Sequence, residues 1–191
     1  MRRTDYRWQM HQLADVADIM SKDETAITDP LQATRDTIQS LIDMLGPKLP
    51  ATFWADPFVL GFVYFAVHAY AIQAGATDDD LKNLPAVYVG LLEGDAPAVI
   101  AQSATLHRDK DPAFLQGLEH GDKFNAAMRG MSKYDDDEAV IQAHEQAREA
   151  VVLADEEHPF TFDQALFVYL YEGLFAGELR RRFPEMAETL N

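Results

Sequence analysis

The sequence predicts an all-α fold, organised as a single-domain compact bundle of about eight helices over residues 1–191. Three observations lead to this prediction. Aspartates stand directly before prolines at three positions, apolar residues recur at helical spacing, and no segment shows sustained strand-like alternation or an Asn-Gly hairpin turn. An aspartate before a proline is typical of a helix start, because its carboxylate caps backbone N–H groups and the proline needs no N–H partner.

The first two helices are predicted over residues 5–20 and 30–45. Four apolar residues share one face of the first helix. The second begins where Asp29 precedes Pro30 and ends at Gly46, because glycine favours the helix end and the proline after it stops the helix.

The next two helices carry equally clear start signals. A helix over residues 57–74 begins where Asp56 precedes a proline. A helix over residues 78–93 begins at the capping box opened by Thr77, and Pro85 breaks it.

The second half of the chain is predicted to contain four further helices. Asp111 precedes a proline, and Thr161 stands three residues before a glutamine as a capping box requires. These helices cover residues 96–107, 112–130, 136–154 and 162–182.

Helices 57–74 and 162–182 are apolar on nearly all sides, so we expect them to be central and wrapped by amphipathic helices. Both fall short of the roughly 18–20 continuous apolar residues that span a bilayer. Each also contains an ionisable residue, His68 in the first and Glu172 in the second. The sequence therefore predicts a soluble protein without a membrane span.

The charge balance bears on the partners of the protein. The 32 acidic and 16 basic residues give a formal net charge of −16. Nucleic acids and anionic membrane surfaces attract positively charged patches, so we expect neither direct nucleic-acid binding nor adhesion to a membrane. A protein partner, basic in character, is compatible with this charge. The basic N-terminus lacks the apolar core of a signal peptide, so we expect a cytoplasmic location.

The sequence lacks the residues of several common active sites. There is no cysteine, and no G-x-S-x-G, Walker or S-x-x-K motif. No glutamate stands three residues before a histidine, as a ferritin-like metal site requires. We therefore expect no metal and no cofactor, and the sequence leaves open whether the protein is an enzyme.

The apolar helices supply candidate ligand-binding residues. His68 and Glu172 are the ionisable residues that we expect to be most buried, and they would meet if the two helices pack side by side. Such a pair either fixes helix packing within a filled core or faces a pocket. The other candidates are tyrosines, whose hydroxyls can orient a ligand, and closely spaced glycines, which expose backbone: Tyr64, Tyr169, Gly173 and Gly177. Tyr70, Tyr88 and Tyr171 add hydroxyls to the same neighbourhood.

Charged runs supply candidate partner-binding residues. Asp155, Glu156 and Glu157 follow a helix end, where negative charge is unfavourable, so local structure explains this run least well. The arginines at residues 180–182 end a helix, where positive charge is favourable, and we interpret them as a solvated helix end.

These observations support three functional hypotheses. The leading one is a non-enzymatic, protein-binding regulator, adaptor or immunity-type inhibitor, because strong negative charge accompanies the lack of catalytic motifs. The alternative is a small-molecule-binding or catalytic protein with a pocket between the two apolar helices, around His68 and Glu172. The third, mimicry of nucleic acid, would need carboxylates aligned on one face, whereas here most of them serve as helix caps.

Overall fold

The structure is a computed structural model that describes residues 29–46, 48–91, 96–153 and 161–188. All regular secondary structure in these ranges is helical, which confirms the predicted all-α fold. The helix predicted over residues 5–20 lies outside the described residues.

The helix boundaries follow the predictions closely. In chain order the helices are α1 (Pro30–Asp43), α2 (Pro57–Gln73), α3 (Asp78–Lys82), α4 (Pro85–Leu91), α5 (Ala96–Asp109), α6 (Pro112–Met128), α7 (Glu138–Leu153), α8 (Phe162–Tyr171) and α9 (Gly177–Arg182). A π-helical turn, Glu172–Ala176, joins α8 to α9 without a break. Short 3₁₀ turns lie at Phe53–Ala55, Ser132–Tyr134 and Pro184–Glu188.

The helix starts are held by the side chains that the sequence indicated. The carboxylate of Asp56 accepts hydrogen bonds from the first N–H groups of α2, at 2.9 and 3.1 Å. Asp29 and Asp111 cap α1 and α6 in the same way. Thr77 and Thr161 form complete capping boxes at the starts of α3 and α8. Local chemistry therefore sets where these helices begin.

The described residues fall into two compact units, whose boundary lies within α6. We call the described residues from 29 to 122 the first unit and those from 123 to 188 the second unit. Each is described by itself, and the single-domain organisation stays a prediction.

Helix α2 forms the centre of the first unit. Its side chains from Phe58 to Val63 are all buried, and α1 and α5 pack against it. Helix α6 approaches α2 so closely that backbone meets backbone, with Gly61 against Phe114 and Gly117 against Phe58. Only glycine lacks the Cβ atom that would keep the two helices apart.

The second unit is built around α8, whose residues from Ala165 to Tyr171 are all buried and which packs on α7. Both predicted apolar helices are thus confirmed as buried elements, each within its own unit. At the start of α7, Asp137 caps the helix and its carboxylate also accepts a 2.8 Å bond from the Lys123 ammonium.

Candidate functional site

A cavity of about 390 Å³ lies in the first unit beside His68. Its walls come from α2, from α3 and α4 with the turn between them, and from α5. The lining residues of α2, α4 and α5 recur at intervals of three or four positions, because such residues share one helix face. The polar lining residues are Tyr64, His68, Lys82, Tyr88, Ser103 and His107, and the apolar ones are Leu81, Leu84, Pro85, Ile100 and Ala104.

The His68 ring is held by its own helix. Its Nδ1 atom lies 2.8 Å from the carbonyl oxygen of Tyr64, one turn earlier in α2. Because a carbonyl only accepts, Nδ1 carries the hydrogen and donates it. In the neutral ring Nε2 is therefore a hydrogen-bond acceptor. The ring also lies against the Tyr64 ring, with the centroids 4.4 Å apart.

Tyr64 links the histidines on two helices. Its ring stacks with that of His107 from α5, with the centroids 6.0 Å apart, while its other neighbour is His68. Phe114 of α6 lies 6.0 Å from both Tyr64 and His107. These rings give one side of the site flat aromatic walls.

Tyr88 carries a buried polar atom at this cavity. The residue is only 5% exposed, and its hydroxyl has no hydrogen-bond partner among the residues that the structure describes. A buried hydroxyl without a partner costs about 1–3 kcal/mol of stability. Burial, assisted by nearby Tyr64, raises the pKa of the Tyr88 hydroxyl well above its usual value, so this group keeps its proton at neutral pH.

The cavity has a buried floor and an exposed mouth. Leu84, Tyr88 and Ser103 are buried, whereas Lys82 and His107 are exposed. The Lys82 ammonium lies 2.6 Å from the Asp79 carboxylate, outside the lining. Among the lining residues that the structure describes there is no carboxylate, although acidic residues outnumber basic ones two to one in the chain. The lining thus combines apolar walls with neutral or basic polar groups.

Several lining residues carried no sequence signal. His107 and Ser103 lie on an ordinary amphipathic helix, and Lys82 ends a short solvated one. They contribute only because α5 and α3 pack beside α2 at this point. Sequence reasoning found His68 and Tyr64, and it included Tyr88 only as one of several tyrosines.

The remaining predicted ligand-binding residues lie in the second unit. Glu172 begins the π turn, and the N–H of Gly177 donates to its carbonyl oxygen, which is the bond that defines the turn. Gly173 is exposed with open space around its Cα, and Tyr169 is buried. The structure therefore brings Glu172 and Gly177 together.

Glu172 has a partner in its own helix. One of its carboxylate oxygens forms an ion pair with Arg180, two turns later. The other, Oε2, is buried without a hydrogen-bond partner. Because His68 and Glu172 belong to different units, their predicted contact stays a prediction, as does a pocket between the two apolar helices. The cavity-lining residues that the structure describes all belong to the first unit.

Burial of ionisable groups differs from the expectation. Glu172 and His68 are only half-buried, whereas Glu178 is 8% exposed and is the most buried carboxylate among the described residues. Glu178 tolerates burial because Arg181 and Arg182 both pair with it at 3.1 Å. The arginine run is therefore only partly a solvated helix end, since two of its members are partly buried in ion pairs.

Tyr171 lies at the junction of α8 and the π turn. Its ring is fully buried and stacks with Phe167, and burial raises the pKa of its hydroxyl well above the usual value, partly offset by Arg180. Burial in turn lowers the pKa of the Arg180 guanidinium. Tyr171 and Arg180 both keep their protons at neutral pH.

The other predictions about sites have these outcomes. Asp155, Glu156 and Glu157 lie outside the described residues. Within the part of the chain that the structure describes, no three or more His, Cys, Asp or Glu residues are grouped to hold a metal ion. No helix there combines the length and hydropathy needed to cross a membrane. Compared with known proteins, the chain matches no family model, no curated protein and no solved structure.

Proposed function

We propose that the first unit binds a small organic molecule in the cavity beside His68. The cavity, at about 390 Å³, falls within the range of roughly 300–1,000 Å³ that is usual for small-molecule sites. Most of the surface that the lining exposes is apolar, as is usual for such sites, and the polar groups of six lining residues can fix the orientation of a ligand. The observation that carries the proposal is a ligand-sized space lined by Tyr88, whose buried hydroxyl has no partner within the described part of the chain.

The sequence left two interpretations of His68 open, a filled core or a pocket. The cavity favours the pocket, because His68 lines it and its ring bonds to the described residues through Nδ1 alone. The second nitrogen is thus an acceptor for a ligand.

Binding is supported more strongly than nucleophilic catalysis. Ser103 is the hydroxyl nucleophile in the lining, but its Oγ donates to the backbone carbonyl of Val99 at 3.0 Å. A serine activated for attack would instead donate to a general base such as an imidazole. The arrangement of Ser103 therefore favours a role in shaping the wall.

A bulky residue in the cavity wall tests this proposal. Ala104 lines the cavity and is exposed, so Ala104→Trp is expected to fill the space while leaving the fold intact. Small molecules that bind the native protein in a ligand-observed NMR screen should bind Ala104→Trp at least about tenfold more weakly.

Ala101→Trp is the matched control, because Ala101 is exposed on the same helix but does not line the cavity. It should leave the affinity unchanged. A screen without hits, or hits that bind Ala104→Trp as tightly as the native protein, would contradict the proposal.

A protein partner of basic character is the second candidate function. The net charge of −16 favours it, and so do two large apolar side chains at the end of α7. Val152 is 83% exposed and Leu153 is 63% exposed. The acidic run at residues 155–157 follows them in the sequence after one intervening residue, Ala154. Apolar contact next to negative charge suits a partner segment of apolar and basic residues.

Neutralising the acidic run at residues 155–157 is expected to abolish capture of such a partner. The variant carries Asn or Gln at all three positions, and its control replaces Asp36, Asp43 and Asp109 by Asn, which changes the charge equally. A supporting result is one basic protein that both the native chain and the control capture and that the variant does not capture. The same protein, once purified, should bind the native chain directly. Capture that is insensitive to the variant and to salt contradicts this candidate.

A further inference from the structure

The Tyr88 hydroxyl restricts what the cavity can bind. A phenylalanine would fill the same buried space without leaving a polar atom unpaired. Tyr88 lines the cavity, and its hydroxyl has no hydrogen-bond partner among the described residues, so a molecule bound in the cavity is the partner that the proposed function offers it. Because burial keeps this hydroxyl protonated, it offers a hydrogen to an acceptor atom.

The rest of the lining narrows the class of ligand. Tyr64, His68 and His107 present aromatic rings, which favour a planar apolar body. Lys82, which also pairs with Asp79, adds a donor at the mouth, and the lining residues within the described ranges include no carboxylate that would repel a partial or full negative charge. The lining therefore favours a ligand oxygen that accepts hydrogen bonds over a ligand cation.

Building on the proposed function, we infer that the cavity selects a planar apolar molecule bearing a carbonyl or carboxylate oxygen, and that the Tyr88 hydroxyl donates to that oxygen. Tyr88 is then the residue that determines specificity, while the apolar walls supply most of the affinity. The general precedent is that a buried hydrogen-bonding group strongly disfavours ligands that leave it unpaired.

Three probes of one shape test the inference with Tyr88→Phe. They are 2-acetylnaphthalene, 2-naphthoic acid and the apolar isostere 2-ethylnaphthalene. Loss of the hydroxyl should weaken binding of the ketone, the acid or both at least about tenfold, while 2-ethylnaphthalene binds Tyr88→Phe as tightly as the native protein or more tightly. If only the ketone binds more weakly, the cavity selects a neutral carbonyl ligand, and if only the acid does, it selects a carboxylate.

The ligand-free variant gives an independent readout. Removing an unpaired hydroxyl should raise the melting temperature of Tyr88→Phe by about 3 °C. Tyr70→Phe is the control for affinity, because Tyr70 lies on α2 outside the cavity lining. It should leave the affinity of all three probes unchanged.

The possible failures are distinguishable. If Tyr88→Phe binds all three probes equally more weakly, Tyr88 is a packing residue and the inference is overturned. A lower melting temperature of Tyr88→Phe would also overturn it, because the hydroxyl would then have a partner in the free protein. No change in any affinity would show that ordered water satisfies the hydroxyl and would also overturn it. The proposed function would survive each of these results if Ala104→Trp still blocks the probes. If none of the three probes binds the native protein, both proposals fail for this class of molecule.

Discussion

Replacing Gly117 by alanine is expected to lower the free energy of unfolding by about 2 kcal/mol. A Cβ at this position would overlap the backbone carbonyl of Phe58 and lie 2.7 Å from the amide nitrogen of Phe62. Both obstacles are backbone atoms within α2, so relief requires α2 and α6 to move apart. The gain in helix propensity, about 1 kcal/mol for glycine to alanine, offsets only part of this loss.

Denaturant unfolding followed by circular dichroism measures the effect. Gly61→Ala should behave like Gly117→Ala, because its Cβ would overlap the carbonyl of Phe114 across the same contact. Gly173→Ala is the matched control, since nothing lies within 4 Å of a Cβ there, and it should be neutral or slightly stabilising. If Gly117→Ala proves as stable as the native protein, the two helices are not in backbone contact.

The second large effect is expected at Arg180. Replacing it by methionine should lower the free energy of unfolding by about 2 kcal/mol, because the Glu172 carboxylate is left partly buried without its ion pair. One oxygen of this carboxylate already lacks a hydrogen-bond partner, so the second would leave the group uncompensated. Methionine keeps the length and apolar character of the arginine stem, which limits the loss of packing.

A double-mutant cycle separates the charge from the packing. Adding Glu172→Gln to Arg180→Met should restore a large part of the stability, because no unpaired charge then remains. The control is Arg181→Met, whose side chain is 73% exposed and whose partner Glu178 keeps Arg182. It should cost less than about 0.5 kcal/mol. Strictly additive effects in the cycle would show that the Arg180–Glu172 pair contributes nothing.

The Arg180–Glu172 ion pair spans the π turn that joins α8 to α9. A π turn inserts one extra residue into an otherwise regular helix, and such turns are frequent at functional sites. Here the π turn begins at Glu172, and the carboxylate of this residue forms its ion pair with Arg180, which lies beyond the turn in the same helix. The cycle therefore measures how much an ion pair that spans the π turn contributes to stability.

Local chemistry allowed much of the fold to be predicted. Asp56, Asp111 and Thr161 act within three residues of themselves, so their capping role can be recognised without tertiary structure. The same holds for α2, because a helix without a polar face must be buried wherever the chain places it. His68 stood out as an ionisable residue in that apolar sequence, and Tyr64 lies one turn away.

The cavity itself could not be predicted, because its composition depends on which faces of α3, α4 and α5 meet α2. His107 and Ser103 have no distinguishing pattern along the chain, and the missing partner of the Tyr88 hydroxyl is a property of its surroundings. The same applies to Arg180, whose position suggested a solvated helix end but whose partner is set by the π turn. The sequence by itself determined the helices, because caps and apolar periodicity act over a few residues. Only the tertiary structure decided the candidate site, because a cavity exists where side chains distant in sequence leave space between them.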